Sequence, residues 1–129
     1  MSLLSNLGIE VVEQGRHKVV LQMELTPEHL EMEKKKAGSI NALLSETAAS
    51  LGANMNVDQD DSAAITGVNV HNLNAFKLGT LVVEAISVRN GENIQTWQAT
   101  THFEKSAIPN GLSTVMLKKS RSNCDRFWS

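Results

Sequence analysis

The sequence predicts an α+β domain in which one early helix packs on an antiparallel sheet of five to six strands. Three observations predict it. Ser39 to about Met55 is free of proline and carries apolar residues at helical spacing. Four long segments after it are rich in β-branched residues, and an alternating segment stands before it. At 129 residues the chain fits one domain. We place that domain over residues 1–120 and leave 121–129 as a polar tail with no assigned role.

His17, Val19, Leu21, Met23 and Leu25 share one parity, against Lys18, Val20, Gln22 and Glu24, which predicts a strand with one buried face. Gly15-Arg16 reads as the turn from a shorter strand near Ile9 to Glu13. Thr26-Pro27-Glu28 reads as the start of a short helical turn, with Thr as cap and Pro at the first position. In the main helix Ile40, Leu43, Leu44, Thr47, Ala48 and Leu51 recur at helical spacing, with Asn41, Ser45, Glu46, Ser50 and Asn54 on a wet stripe. Its second half, Ala48 to Ala53, has small side chains, which suits a helix embraced by a curved sheet. Asn56 to Ser62 reads as a loop. Strands follow over Ala63–Asn72, Gly79–Arg89, Asn93–Glu104 and Leu112–Lys119. Asn90-Gly91 and Asn110-Gly111 read as hairpin turns, because both residue types tolerate positive φ.

A formal charge of −2 supplies no field for a polyanion, so nucleic-acid binding is not expected. Lys34-Lys35-Lys36 follows three glutamates, with Glu31 four residues before Lys35, and reads as locally paired or as a solvated face. One cysteine, Cys124, forms no internal disulfide. The start lacks a signal-peptide pattern and no apolar run spans a membrane, so a soluble, cytoplasmic protein is expected. Nucleotide-loop, serine-hydrolase and zinc signatures are absent, and no metal site is expected. His17, His29, His71 and His102 are scattered, and those on strands read as surface or rim residues. Glu46 stands out as a carboxylate in an apolar helix, a setting suited to base or nucleophile work.

The segment Gly38-Ser39-Ile40-Asn41-Ala42-Leu43-Leu44-Ser45-Glu46-Thr47-Ala48-Ala49-Ser50 resembles the helix signature of the phenylacetic-acid-degradation type of hotdog-fold thioesterase. That group includes the dihydroxynaphthoyl-CoA thioesterases. Its signature is H-G-G, six residues, then E-T-x-x-S. Gly67 to Asn72 with Gly79-Thr80-Leu81, and Gly91 with Gln95-Thr96-Trp97-Gln98, are similar to the next strands of the group, so the resemblance runs from about Gly8 to Leu117. It implies a hotdog fold with the helix wrapped by the sheet, and hydrolysis of a small-to-medium or aromatic acyl-CoA without a cofactor. It also implies dimers, often paired into tetramers, with sites at the subunit interface.

Carried over residue by residue, the resemblance makes Glu46 base or nucleophile, Gly38 the oxyanion donor and Ser50 the holder of the carboxylate or a water. Lys77, Asn74, His71, Asn69, Ser39 and Glu31 are candidates for substrate or CoA contacts. The chain departs from the signature at Ala37 in place of histidine, Ser39 in place of the second glycine, Lys34 in place of a glycine and Glu31 in place of a frequent glutamine. The loop before Gly79 is about two residues shorter. Loss of the histidine motivates an alternative, a non-catalytic acyl-thioester-binding protein. Eight residues separate Gly38 from Glu46, about 12 Å along a helix, so one carbonyl cannot meet both in one subunit. A two-fold dimer that sets Gly38 of one subunit against Glu46 of the other resolves this.

Overall fold

Alternation decides the second strand. In a computed structural model, which describes residues 3–121, Val19, Leu21, Met23 and Leu25 are buried while their neighbours of opposite parity face outward. The elements run α1 (Leu3–Asn6), β1 (Ile9–Gln14), β2 (Lys18–Leu25), α2 (Pro27–Lys35), α3 (Ser39–Asn54), β3 (Asp61–Asn72), β4 (Gly79–Asn90), β5 (Ile94–Phe103) and β6 (Pro109–Arg121). All strand pairs are antiparallel, in the order β1-β2-β4-β5-β6-β3. β3 therefore stands at an edge beside β6, although β4 follows it in sequence.

α3 lies across one face and touches β2, β3, β4, β5 and β6, as a helix wrapped by a sheet must. Its sheet-facing side is Ile40, Asn41, Leu44, Ser45, Ala48, Ala49, Gly52 and Ala53, all buried. Burying Ile40 and Leu44 contributes roughly 1.5–3 kcal/mol each. The small second half is needed at one point above all: a Cβ on Gly52 would lie 2.2 Å from the Trp97 ring, the largest fully buried side chain. Gln95 locks this contact, accepting from Trp97 Nε1 (3.1 Å) and donating to Ala53 O at the end of α3 (3.0 Å).

Several expectations change. The turn begun at Thr26 extends to nine residues, with Thr26 as cap: its Oγ1 accepts from His29 N, and His29 Nδ1 accepts from Thr26 N. Glu31 pairs with Lys34 (3.3 Å), one residue short of Lys35. The loop after α3 ends sooner, because β3 begins at Asp61. Asn90-Gly91 does turn between β4 and β5, with Gly91 N donating to Ile94 O (2.9 Å). Asn110-Gly111 does not turn: it lies inside β6, and residues 104–108 make the reversal. Asn41 and Ser45 are buried on the sheet side, so the wet stripe narrows to Glu46, Ser50 and Asn54, and the exposed Asn54 brackets Ala63 through both backbone groups. The tail from 122 onward, with Cys124, lies outside the described residues. Among the described residues no helix is long and apolar enough to cross a membrane. No group of three or more His, Cys, Asp or Glu among them is placed to hold a metal ion.

Candidate active site

The start of α3 is built around a glycine. Gly38 is the N-cap, buried, with φ +89°, a left-handed conformation that glycine adopts without a steric penalty. It has no side chain to cap the helix, so the exposed amides need another acceptor. Glu33 supplies it from α2. Its Oε2 accepts from Gly38 N (2.6 Å), and its Oε1 accepts from Ile40 N (3.1 Å) and Ser39 Oγ (3.3 Å). A carboxylate across the positive end of a helix dipole is a stable arrangement. Sequence reasoning missed Glu33, whose only signal was an acid five residues before the helix glycine.

On the inner side of the same helix start lies a buried polar cluster. Thr101 Oγ1 donates to Asn41 Oδ1 (2.6 Å), and Asn41 Nδ2 donates to Asn72 Oδ1 (2.7 Å) and Asn110 O (3.4 Å). Asn41 fits because Gly111 has no side chain: a Cβ there would sit 2.3 Å from Asn41 Nδ2. The dipeptide read as a turn is thus the seat of a buried asparagine.

Glu46 lies on the half-buried outer stripe of α3 with Ser39, Leu43 and Ser50. Among the described residues its side chain has neither an ion pair nor a hydrogen bond, so the carboxylate is left available. Ser50, one turn on, accepts from Asn54 Nδ2 at its carbonyl (2.8 Å) and its Oγ (3.4 Å), and its hydroxyl is not bonded to the Glu46 carboxylate. The structure therefore brings Gly38 and Ser39 together at one end of α3 and Glu46 and Ser50 together at its middle, and keeps the two groups apart.

The remaining candidates, Glu31 apart, lie on the flank of β3 and the loop after it. Asn69 and His71 are exposed on that edge strand. Asn74 spends its amide on Pro109 O (2.7 Å), pinning the loop that Asn110 holds from the other side through Asn74 O and Ala75 O. Lys77 is exposed, with its ammonium 5.3 Å from the centre of the Phe103 ring. Glu31 is exposed on α2 beside Lys34. Two clefts, of about 260 and 680 Å³, open near Asn93; Gln95 lines the first, Lys118 and Arg121 the second, and Glu46 and Gly38 line neither.

Solved structures share this architecture. A thioesterase from Haemophilus influenzae superposes with a TM-score of 0.79 at 22% identity, covering 93% of this chain and 83% of that one. A mutant of the phenylacetic acid degradation protein from Thermus thermophilus gives 0.76 at 17% identity, over 89% of this chain and 96% of that one. This is the hotdog fold. In sequence, the hotdog chain is 26% identical over 122 residues to a 1,4-dihydroxy-2-naphthoyl-CoA hydrolase from Listeria monocytogenes, spanning 94% of this chain and 99% of the relative. No family model matches. The resemblance drawn from the helix signature is thereby borne out in fold and in the kind of relative it finds.

Proposed function

We propose that this hotdog protein is an acyl-CoA thioesterase, with the site formed between two subunits. The observation that carries the reading is the pair of features on α3: a half-buried, unpaired Glu46 carboxylate and, about 12 Å away along the axis, the buried Gly38 amide. A two-fold axis would set Gly38 of one subunit against Glu46 of the other. The free outer edge of β3, with Ile65 and Val68 exposed, gives a second copy a place to dock. The assembly is then a dimer, or a tetramer of paired dimers. The hydrolase name of the Listeria relative supports a CoA thioester as substrate.

In this reading the Gly38 amide polarises the thioester carbonyl and stabilises the oxyanion. Glu46 takes a proton from the attacking water, or attacks the carbonyl carbon itself to give an anhydride that water opens. The C–S bond breaks as the tetrahedral oxyanion collapses, which in the second route is the step that forms the anhydride, and in either route the CoA thiolate takes up the proton that the water gives up. Ser50 holds the carboxylate or the water. The chemistry calls on no metal or cofactor. Lys77 offers the CoA phosphates a cation, with Asn69 and His71 on the same flank. The acyl group is small-to-medium or aromatic.

One observation favours the alternative of a non-catalytic acyl-thioester binder: the Gly38 amide already holds Glu33. A screen of CoA thiol release over acetyl-, palmitoyl- and benzoyl-CoA decides between them. The thioesterase reading expects turnover of at least one, abolished in Glu46→Ala. Turnover left unchanged by that substitution refutes Glu46, and ligand-induced stabilisation without turnover selects the binder.

A further inference from the structure

We infer that Asn72 is a second hydrogen-bond donor to the thioester carbonyl, aimed by a buried relay that runs from Thr101 through Asn41. The inference rests on the thioesterase reading and adds a residue to its oxyanion site. The polarity of the relay follows from one backbone group. Asn110 O can only accept, so the edge of Asn41 facing it, 3.4 Å away, is the NH2 edge. The other edge is then the carbonyl, which receives the Thr101 hydroxyl at 2.6 Å. The second hydrogen of Asn41 Nδ2 goes to Asn72 at 2.7 Å, so the Asn72 atom that meets it is Oδ1. The Asn72 NH2 is left over, and among the described residues it has no acceptor.

That free donor is beside Gly38. A Cβ placed on Gly38 would lie 2.9 Å from Asn72 Nδ2, closer than any other heavy atom outside its chain neighbours. Two donors thus come from neighbouring residues at the start of α3, the Gly38 backbone amide and the side chain of the last residue of β3. An oxygen gathering negative charge is stabilised by donors fixed beforehand, and here the fixing is deep. Asn41 is fully buried and Thr101 is 1% exposed, whereas Asn72 is exposed and reachable. A buried asparagine is tolerated only when its groups are satisfied, and this one orients a side chain at the rim. Asn41 and Thr101 are positioning residues, since neither reaches the rim.

The test uses the full-length protein and whichever of acetyl-, palmitoyl- or benzoyl-CoA it turns over fastest. Asn72→Ala should lower kcat about 100-fold with KM within about twofold, as loss of one oxyanion donor does. Asn72→Asp keeps an acceptor for Asn41 but sets a negative charge beside the oxyanion, and should lower kcat further. Thr101→Val should lower kcat about tenfold, and combined with Asn72→Ala should add nothing, because the relay then aims at no donor. Three results overturn the assignment: kcat of Asn72→Ala within twofold of the parent while Glu46→Ala is inactive; an Asn72→Asp enzyme as fast as the parent, decisive if Asn72→Ala does not fold; or additive losses in the double variant. A parent protein that hydrolyses none of the three substrates refutes the thioesterase reading itself, and this inference with it.

Discussion

Removing Glu33 should make the protein less stable and its substrate binding tighter. The carboxylate joins Gly38 N at 2.6 Å, Ile40 N at 3.1 Å and Ser39 Oγ at 3.3 Å. It is half-buried and acts as the cap that Gly38 cannot provide, so its loss resembles removal of an N-cap, about 1–2 kcal/mol. With an unfolding entropy of about 2.1 cal/mol/K per residue, 129 residues give about 0.27 kcal/mol/K, so Tm falls by about 4–7 °C. The same contacts must break before a thioester carbonyl can reach the Gly38 amide. Deleting them in Glu33→Ala returns that energy to the substrate, and KM falls about 5- to 30-fold with kcat little changed. Glu33→Gln, neutral but nearly isosteric, should fall between. Calorimetric melting and steady-state kinetics of CoA thiol release measure both sides. A lower Tm accompanied by unchanged or raised KM would refute the reasoning, because Glu33 would then be a cap and nothing more.

Two further predictions concern the fold. Gly52→Ala drives a methyl into the Trp97 ring, where the Cβ has 2.2 Å, and should cost about 1–3 kcal/mol, read as a lower urea midpoint with an unchanged slope. An unaffected midpoint would show that helix and sheet do not approach as closely as described. Gln95→Leu strips Trp97 Nε1 of its acceptor in a buried setting, while Ala53 O keeps its bond from Asn56 N (3.0 Å), and should also cost about 1–3 kcal/mol; full stability would mean that the indole N–H finds another acceptor.

The fold was legible because its signals were local. β2 alternates, α3 has an apolar stripe and no proline, and Thr26-Pro27 opens a helix, so each element declared itself within a few residues. What escaped was set by distant neighbours. Asn110-Gly111 has the chemistry of a tight turn, yet the pair is used for room: Gly111 pairs across the strand with Asn72 and Thr101 and leaves space for the Asn41 amide. Asn41 in turn reads as solvent-facing on a helical wheel. Its three partners come from 31 to 69 residues away, which no periodicity reveals. Of the candidate site, Gly38 and Glu46 were singled out by the resemblance to the thioesterase helix signature. Glu33 and Asn72 were not, since one is an ordinary helix acid and the other the end of a strand.

The departures from the thioesterase signature now take on a physical pattern. Ala37, Ser39, Lys34 and Glu31 all stand at or before the start of α3, and there the chain has an arrangement of its own. Ser39 contributes its hydroxyl to the Glu33 carboxylate, which a glycine cannot do. Ala37 is exposed and brings no polar group to the Gly38 end, where the Asn72 NH2 has no acceptor among the described residues. A site that had merely decayed would accumulate apolar or unpaired groups, because a buried amide without partners costs about 1–3 kcal/mol and nothing would hold it there. Asn41 instead satisfies both edges of its amide. The polar end of α3 is thus ordered from the sheet outward to Asn72 and from α2 inward to Glu33, and the Gly38 amide lies where the two meet.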